Sequence, residues 1–252
     1  MVGLTARAAA IADPVIWHDV ECSAYEADLA LWRELASAAG GPVLELGCGT
    51  GRVALDLAAR DHDVTALDSE PALLGALASR ARARQLRIEA VVADARSFEL
   101  AERDYALVLG PMQVTQLMGG RDGRDALLSS ARAHLRAGGT LALALADPLE
   151  GVPAEEADPP LPDVRERDGW VFSSLPMAVH PEPGAIRIDR LRQAVSPDGT
   201  LEETMASIRL DAVTPEELET AAARLGMRVR PRRTVEPVGD YVGSVVVILE
   251  AP

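Results

Sequence analysis

Residues 43–52 read VLELGCGTGR, and this stretch decides the fold. Val43–Leu46 predicts a short strand that runs directly into a turn with glycines at positions 47, 49 and 51, and a helical pattern begins at Arg52. Glycine adopts backbone angles that other residues resist and lets a ligand approach the main chain. Ligands of open α/β sheets bind at the carboxyl ends of the strands. The stretch therefore predicts a cradle for a flat, nucleoside-like ligand.

Two carboxylates support this prediction, because each follows a predicted strand. Asp68 closes the second strand, where a carboxylate accepts hydrogen bonds from the hydroxyl groups of a ribose. Asp94 follows the third strand in the segment VVADA, where its surroundings suit an adenine edge. The alternative is a glycine turn that serves packing alone, beside two incidental surface carboxylates.

Short aliphatic runs alternate with helical patterns over residues 43–146, which is typical of a parallel sheet with crossover helices. We predict a doubly wound α/β fold with strands at Val43–Leu46, Val64–Leu67, Ile88–Val92, Tyr105–Leu109 and Thr140–Leu145. Helices are predicted over 52–60, from Pro71 and over 123–135, and Gly138 and Gly139 are expected to form a turn.

Three units are predicted along the chain. Residues 1–40 form an N-terminal arm or lid with a helix over 24–39, and residues 41–147 and 211–252 form the ligand-binding core. Residues 148–210 are a Pro-rich acidic loop followed by an antiparallel β insertion. A helix over 214–225 and two last strands, over 227–233 and 244–250, complete the core.

Composition narrows the function class. The net charge of −14 is expected to repel nucleic acids, whose binding depends on cations that displace counterions from phosphates. Two arginine clusters, at 80–87 and 228–233, are interpreted as solvated surface. No apolar run has the length of a membrane span, and no signal-peptide pattern is found, so a soluble cytoplasmic protein is expected. The two cysteines suggest free thiols, and no metal-ligand spacing is present.

The pattern of Glu45, Gly47, Gly49 and Gly51 resembles the ExGxGxG motif of class I S-adenosylmethionine-dependent methyltransferases, and the resemblance extends over residues 43–145. It implies a mostly parallel seven-stranded sheet, S-adenosylmethionine as cofactor and a small-molecule acceptor, in a monomer or homodimer without membrane or nucleic-acid partners. In such proteins the glycine turn faces the methionine end of the cofactor, the second-strand acid holds the ribose and the third-strand Asp meets the adenine. The cofactor residues implied here are Tyr25, Glu45, Gly47, Cys48, Gly49, Gly51, Asp68, Ser69, Asp94, Ala95 and Leu109.

Two other functions remain open. A nicotinamide-dependent oxidoreductase shares the ribose acid, but its GxGxxG fingerprint fails here and Arg52 stands where close helix packing is needed. The second is a non-catalytic cofactor- or partner-binding protein on the same fold.

No catalytic residue is identified from the sequence, although the segment after the fourth strand, Gly110–Gln116, is expected beside the transferred methyl group. Gln113 and Gln116 in that segment either orient a substrate or are ordinary polar positions. His18 in the arm and His180 in the insertion are weak catalytic candidates, whereas His62 and His134 are interpreted as surface residues. The segment lacks the [DNS]PP[YFW] motif of relatives that methylate DNA bases or protein glutamine, and Asp158–Leu161 resembles it only by coincidence.

Overall fold

The computed structural model describes residues 11–101, 104–146, 161–239 and 241–252. In chain order the elements are α1 (Pro14–Cys22), α2 (Leu29–Ala39), β1 (Val43–Leu46), α3 (Arg52–Ala58), β2 (Val64–Asp68), α4 (Pro71–Ala83), β3 (Glu89–Val92), β4 (Tyr105–Gly110), α5 (Arg121–His134), β5 (Leu135–Leu145), β6 (Asp163–Arg167), β7 (Trp170–Glu182), β8 (Ala185–Val195), β9 (Leu201–Asp211), α6 (Pro215–Arg224), β10 (Arg228–Val235) and β11 (Ser244–Glu250). A 3-10 turn, Val114–Leu117, follows β4. No helix among these ranges is both long and apolar enough to cross a bilayer.

The core is a seven-stranded sheet in the order β10-β11-β5-β4-β1-β2-β3. Strands β1 to β5 pair in parallel, and β11 runs antiparallel to both β5 and β10. This confirms the predicted doubly wound, mostly parallel α/β fold. The strand order reverses between β1 and β4, and a ligand crevice opens at such a switch point, outside the carboxyl ends of the strands.

Local sequence explains why the central elements form where they do. Every residue of β1 and β4 is buried, as the hydrophobic content of these two strands predicts. Helix α4 begins at Pro71, whose missing amide hydrogen costs nothing in the first turn, and the Glu70 side chain accepts a hydrogen bond from the Ala72 amide. Helix α6 begins with a capping box between Thr214 and Glu217.

The insertion forms a second, four-stranded antiparallel sheet in the order β6-β7-β8-β9. Its pairing confirms the predicted antiparallel insertion, which here consists of four strands between Asp163 and Asp211. This inserted sheet packs on α1, because Phe172 and Ala194 bury their side chains with Ile16, Trp17 and Val20 of that helix. Residues 147–160, most of the predicted acidic loop, lie outside the described ranges.

The arm contains two helices where one, over 24–39, was predicted. Asp28 explains the break, because its buried carboxylate accepts hydrogen bonds from Trp32 Nε1 at 2.7 Å and from the Arg52 guanidinium at 2.5 and 2.7 Å. These bonds hold the start of α2 against α3. The first half of the arm turns away as α1, from which α2 is separated by residues 23–28.

Strand β5 also differs from its prediction, since it begins at Leu135 directly after α5. Gly138 and Gly139 lie inside the strand, where the register against β4 shifts. The Gly138 amide donates to the Ala251 carbonyl and the Ala251 amide donates to the Gly139 carbonyl. The glycines therefore form a bulge bonded to the end of the chain, not a free turn.

Candidate active site

A cavity of about 540 Å³ lies at the carboxyl ends of β1, β2, β3 and β4, and we call it the strand-end cavity. Helix α1 and the inserted sheet close its other side. Its lining comes from two parts of the chain. The core contributes Glu45, Gly47, Cys48, Asp68, Ser69, Asp94, Ala95 and Arg96, and α1 and the inserted sheet contribute Trp17, His18, Glu21, Cys22, Arg192 and Ile208. The segment after β4 lines it through residues 111–114, 117 and 118, among them Gln113. Its size is that of a small-molecule or cofactor site.

Seven of the residues expected to hold the cofactor line this cavity, and four do not. Tyr25 is buried against Arg52, whose guanidinium lies 5.2 Å from the ring centroid, and against the Tyr241 ring. The Leu109 side chain is fully buried in the core. These two side chains are kept from the cavity by packing that depends on residues distant in the sequence.

Gly49 and Gly51 are covered as well, each by a different element. An ideal Cβ on Gly49 would lie 2.1 Å from Nε2 of His18, so this imidazole rests directly on the turn. A Cβ on Gly51 would lie 2.8 Å from Cγ of Leu77 in α4. Gly47 and Cys48 still line the cavity, although a Cβ on Gly47 would also meet a side chain, 2.5 Å from Cγ2 of Val114.

Asp68 sits at the end of β2 and is held by the main chain. Its Oδ2 accepts from the Gly49 amide at 2.8 Å and its Oδ1 accepts from the Glu70 amide at 2.9 Å. Each carboxylate oxygen accepts more than one hydrogen bond, so the cavity side of this group still offers acceptors to a pair of hydroxyl groups. The glycine turn and the carboxylate are fixed relative to each other by these bonds.

Asp94 forms an ion pair with Arg96 at 2.6 Å, on the part of the cavity next to β3. The hydrogen bond from the Arg96 side chain holds the pKa of Asp94 below its usual value, so it is ionised at neutral pH. Both residues are about half-exposed, so the pair is screened by solvent.

Glu45 carries a different kind of carboxyl group, buried beneath the glycine turn. Its Oε2 is buried and has no hydrogen-bond partner among the described residues. Burial raises the pKa of Glu45 to about 8, against the opposing effect of the nearby Arg52 guanidinium. An unsatisfied buried oxygen beside a cavity is a group that a cationic or hydrogen-bond-donating ligand satisfies.

Helix α1 is fastened over the turn by Asp19, which is 4% exposed. Thr50 Oγ1 donates to Asp19 Oδ1 at 2.8 Å, and the Arg80 guanidinium donates to both Asp19 oxygens. Burial alone would raise the pKa of Asp19, but the hydrogen bonds from Arg80 and Thr50 outweigh it and the pKa is lowered. Arg80, expected in a solvated arginine cluster, thus belongs to the site.

The far end of the cavity is built by α1 and the inserted sheet together. The Glu21 carboxylate accepts from Arg192 Nε at 2.7 Å and Nη2 at 2.9 Å. The Arg192 guanidinium lies 5.1 Å from the Trp17 ring centroid. An apolar ring, a guanidinium and a carboxylate therefore line this end. The glycine motif predicted none of these three residues, and only their neighbour His18 was a catalytic candidate in the arm.

Three polar residues considered from the sequence do not line the strand-end cavity. His180 lies outside the strand-end cavity, where its Nε2 is 3.1 Å from Asp189 Oδ2. The buried Gln116 amide donates to the Ala146 carbonyl at 2.8 Å and accepts from its amide at 2.9 Å, so it braces the end of β5. His134 is 1% exposed, not a surface residue, and it accepts from the Leu100 amide at 3.1 Å.

Both cysteines are free, as predicted, and both line the cavity. Burial raises the pKa of Cys22 to about 12 and raises that of Cys48 as well. Neither thiol is therefore a nucleophile at neutral pH. Within the described ranges no three His, Cys, Asp or Glu side chains are placed to hold a metal ion.

The core of this chain is similar in sequence to known proteins. A family model described as "Methyltransferase domain" matches residues 43–139. A curated relative, named hemagglutinin 1 from Eikenella corrodens, is 33% identical over 96 residues, which are 38% of this chain and 31% of that protein. The chain thus matches less than a third of the length of this relative.

Solved structures match most of the chain. An S-adenosylmethionine-dependent methyltransferase from Clostridium acetobutylicum superimposes with a TM-score of 0.71 at 12% identity, over 94% of this chain and 96% of that one. An amino pentose methyltransferase from Micromonospora echinaspora, with bound S-adenosylmethionine, gives 0.66 at 21% identity over 89% and 90%. A glycopeptide N-methyltransferase complexed with S-adenosylhomocysteine gives 0.60 at 25% identity over 89% and 87%.

The order of the strands, the glycine turn that follows β1 and the acids that end β2 and follow β3 agree with the family match. Residues 43–139 thus match the methyltransferase-domain family, and the seven-stranded sheet has the fold of the superimposed methyltransferase structures.

Proposed function

We propose that this protein transfers a methyl group from S-adenosylmethionine to a nitrogen atom of a small-molecule acceptor. The observation that carries the proposal is the strand-end cavity, which joins the cofactor residues of the core to an end built by α1 and the inserted sheet. Glu45, Gly47 and Cys48 with Asp68 and Asp94 would hold the cofactor. The far end, with Trp17, Glu21 and Arg192, would hold the acceptor.

A small acceptor is supported by the size of the cavity, about 540 Å³ between the core, α1 and the inserted sheet. A nitrogen acceptor is supported by two of the matched structures, an amino pentose methyltransferase and a glycopeptide N-methyltransferase. The net charge of −14 disfavours nucleic-acid acceptors.

Held by the core residues of the cavity, the cofactor would supply an activated methyl group on a sulfonium to the acceptor nitrogen. The residues of this chain therefore need to bind, align and exclude water more than to provide a strong base. The segment Gly110–Gln116 follows β4 beside β1, and Gln113 lines the cavity there. We assign Gln113 the task of orienting the acceptor.

Calorimetry with S-adenosylmethionine and S-adenosylhomocysteine tests the cofactor. We expect both to bind, and Asp68→Ala should weaken both by about 1–3 kcal/mol because charged hydrogen bonds are lost. A folded protein that binds neither compound would refute the proposal. His180→Ala, outside the cavity, is the matched control and should bind like the wild type.

Turnover is tested separately, by accumulation of S-adenosylhomocysteine with a panel of amino sugars, other amines, phenols and carboxylates. Product with amines alone supports nitrogen transfer, and product with phenols alone would replace it by oxygen transfer. Cofactor binding with no product from any acceptor would favour a non-catalytic binding protein.

A further inference from the structure

The His18 side chain of α1 lies against the glycine turn, next to Asp19, which bonds to Thr50 of the same turn. An ideal Cβ on Gly49 would lie 2.1 Å from His18 Nε2. His18 lines the strand-end cavity, whereas the Gly49 backbone beneath it does not. A ligand that lies along the turn therefore meets the edge of this imidazole where it would otherwise meet main chain.

The order of the strands indicates which part of a bound cofactor would lie beside His18, an inference that rests on the proposed function. Asp94 follows β3, Asp68 ends β2, and the glycine turn follows β1, in adjacent positions along the sheet. If the adenine lies at Asp94 and the ribose at Asp68, the aminocarboxypropyl chain extends over the turn. His18 is at that end.

The hydrogen bonds around His18 determine what its ring offers. Thr50 Oγ1 donates its hydrogen to Asp19 Oδ1 at 2.8 Å, so towards His18 Nδ1, 3.4 Å away, this hydroxyl oxygen is an acceptor. Nδ1 therefore carries the hydrogen. In a neutral ring, this leaves a lone pair on Nε2, the atom that faces the turn. Burial lowers the pKa of His18, which favours the neutral ring.

The surrounding charges suit a cation at the same place. The Asp68 carboxylate lies behind the turn. The nearest guanidinium groups are engaged, since Arg52 pairs with Asp28 and Arg80 pairs with Asp19. A hydrogen-bond-accepting His18 nitrogen near the Asp68 carboxylate suits the ammonium group of a ligand better than its carboxylate.

We propose that His18 is a cofactor-binding residue whose Nε2 accepts a hydrogen bond from the ammonium group of the aminocarboxypropyl chain. Helix α1 then does more than cover the cavity: it contributes a ligand contact that the core motif lacks. A Cβ at position 49 would occupy the place that His18 takes, and the φ of +56° at Gly49 favours glycine as well.

The test compares three ligands by calorimetry on the wild type and on His18→Ala. S-adenosylhomocysteine carries both the ammonium and the carboxylate, its decarboxylated analogue carries only the ammonium, and methylthioadenosine carries neither. We expect His18→Ala to weaken the first two on the order of tenfold, as for a lost hydrogen bond to a charged group. Methylthioadenosine should bind the variant within about twofold of the wild type.

Two further variants make the result decisive. His18→Gln, whose amide oxygen accepts a hydrogen bond near the position of Nε2, should recover part of the affinity for the two ammonium ligands. His180→Ala should leave all three affinities unchanged, and circular dichroism checks that each variant is folded.

Each contrary pattern has a distinct meaning. Equal weakening of all three ligands would show that His18 only packs α1 on the turn, and weakening of S-adenosylhomocysteine alone would assign the contact to the carboxylate. An unchanged affinity throughout would remove His18 from the site. A wild-type protein that binds none of the three would instead refute the cofactor proposal itself.

Discussion

The contact between Gly49 and His18 gives a prediction about stability at the scale of single residues. Gly49 has φ of +56°, and a Cβ there would lie 2.1 Å from His18 Nε2. Gly49→Ala should therefore destabilise the protein by about 1–3 kcal/mol, from backbone strain and from displacement of the imidazole. Urea unfolding measures the change.

A double-mutant cycle separates the two causes. In a His18→Ala background the displaced imidazole is absent, so Gly49→Ala should cost less than in the wild type. Equal costs in the two backgrounds would contradict the direct contact and leave only the backbone angle.

Glu45 makes stability depend on pH. Burial raises its pKa to about 8 from 4.5, so between these values the folded protein keeps a proton that the unfolded chain releases. Stability should therefore be full below the unfolded value and decline as the pH rises towards 8. Glu45→Gln keeps the shape without the titration, so its melting temperature should fall less over this range. Parallel declines in both proteins would show that Glu45 does not carry the effect.

The position of a site residue was predictable from the sequence where its place on a strand fixes it. Asp68 and Asp94 could be placed because each ends or follows a strand of known direction. Tyr25 and Leu109 could not, because their burial depends on Arg52, Tyr241 and the core around β4. Spacing along the chain does not record which distant side chain occupies the space above a glycine.

At the scale of elements, α1 is held over the glycine turn by a single buried carboxylate. Asp19 bonds to Thr50 of the turn and to Arg80 of α4, and Arg165 of the inserted sheet lies 3.9 Å away. Asp19→Ala leaves these partners without their anion. It should cost about 1–3 kcal/mol, less than a fully buried pair because the Arg80 side chain is 30% exposed.

Hydrogen exchange locates this loss. We expect amides of residues 14–22 to exchange faster in Asp19→Ala while those of β1 and β4 keep their protection. Glu26→Ala, an exposed position of the same arm, is the control and should change neither. Uniform loss of protection over the whole chain would mean that α1 is no separate unit.

Elements were predictable where local sequence specifies both ends. Strands β1 and β11 have the predicted bounds, and α6 has the predicted capping box. The break in the arm was missed because Asp28 is explained only by Arg52 and Trp32, which it meets in the folded chain. The bulge in β5 was missed because its partner is Ala251, at the other end of the sequence.

At the scale of the whole molecule, the excess of acidic residues means that even the arginines of the most basic strand, β10, have carboxylate partners. Arginines 228 and 230 of β10 pair with Glu250, Arg232 pairs with Glu216 and Glu219, and Arg233 pairs with Glu34. This cluster is neutralised by its own surroundings. These arginines, interpreted from the sequence as solvated surface, are thus each paired with a carboxylate of the same chain.

The division of the cavity between the core and the inserted sheet leads to a last prediction, that acceptor and cofactor binding can be separated by mutation. Ile208 of β9 lines the strand-end cavity from the inserted sheet, on the face of that sheet that meets α1. Ile208→Trp should fill the acceptor end. We expect S-adenosylhomocysteine affinity within about twofold of the wild type and kcat/KM for the acceptor lowered on the order of tenfold, which corresponds to about 1.4 kcal/mol.

Met205 supplies the matched control, because successive side chains of a strand point to opposite faces and positions 205 and 208 lie on different ones. Met205 is 63% exposed, so Met205→Trp adds the same bulk to solvent and should alter neither affinity nor turnover. If Ile208→Trp weakens the cofactor as much as the acceptor, the inserted sheet reaches the cofactor end and the two halves of the cavity are not separate. If it changes neither, the acceptor binds elsewhere, and the inserted sheet covers the cavity without selecting what enters it.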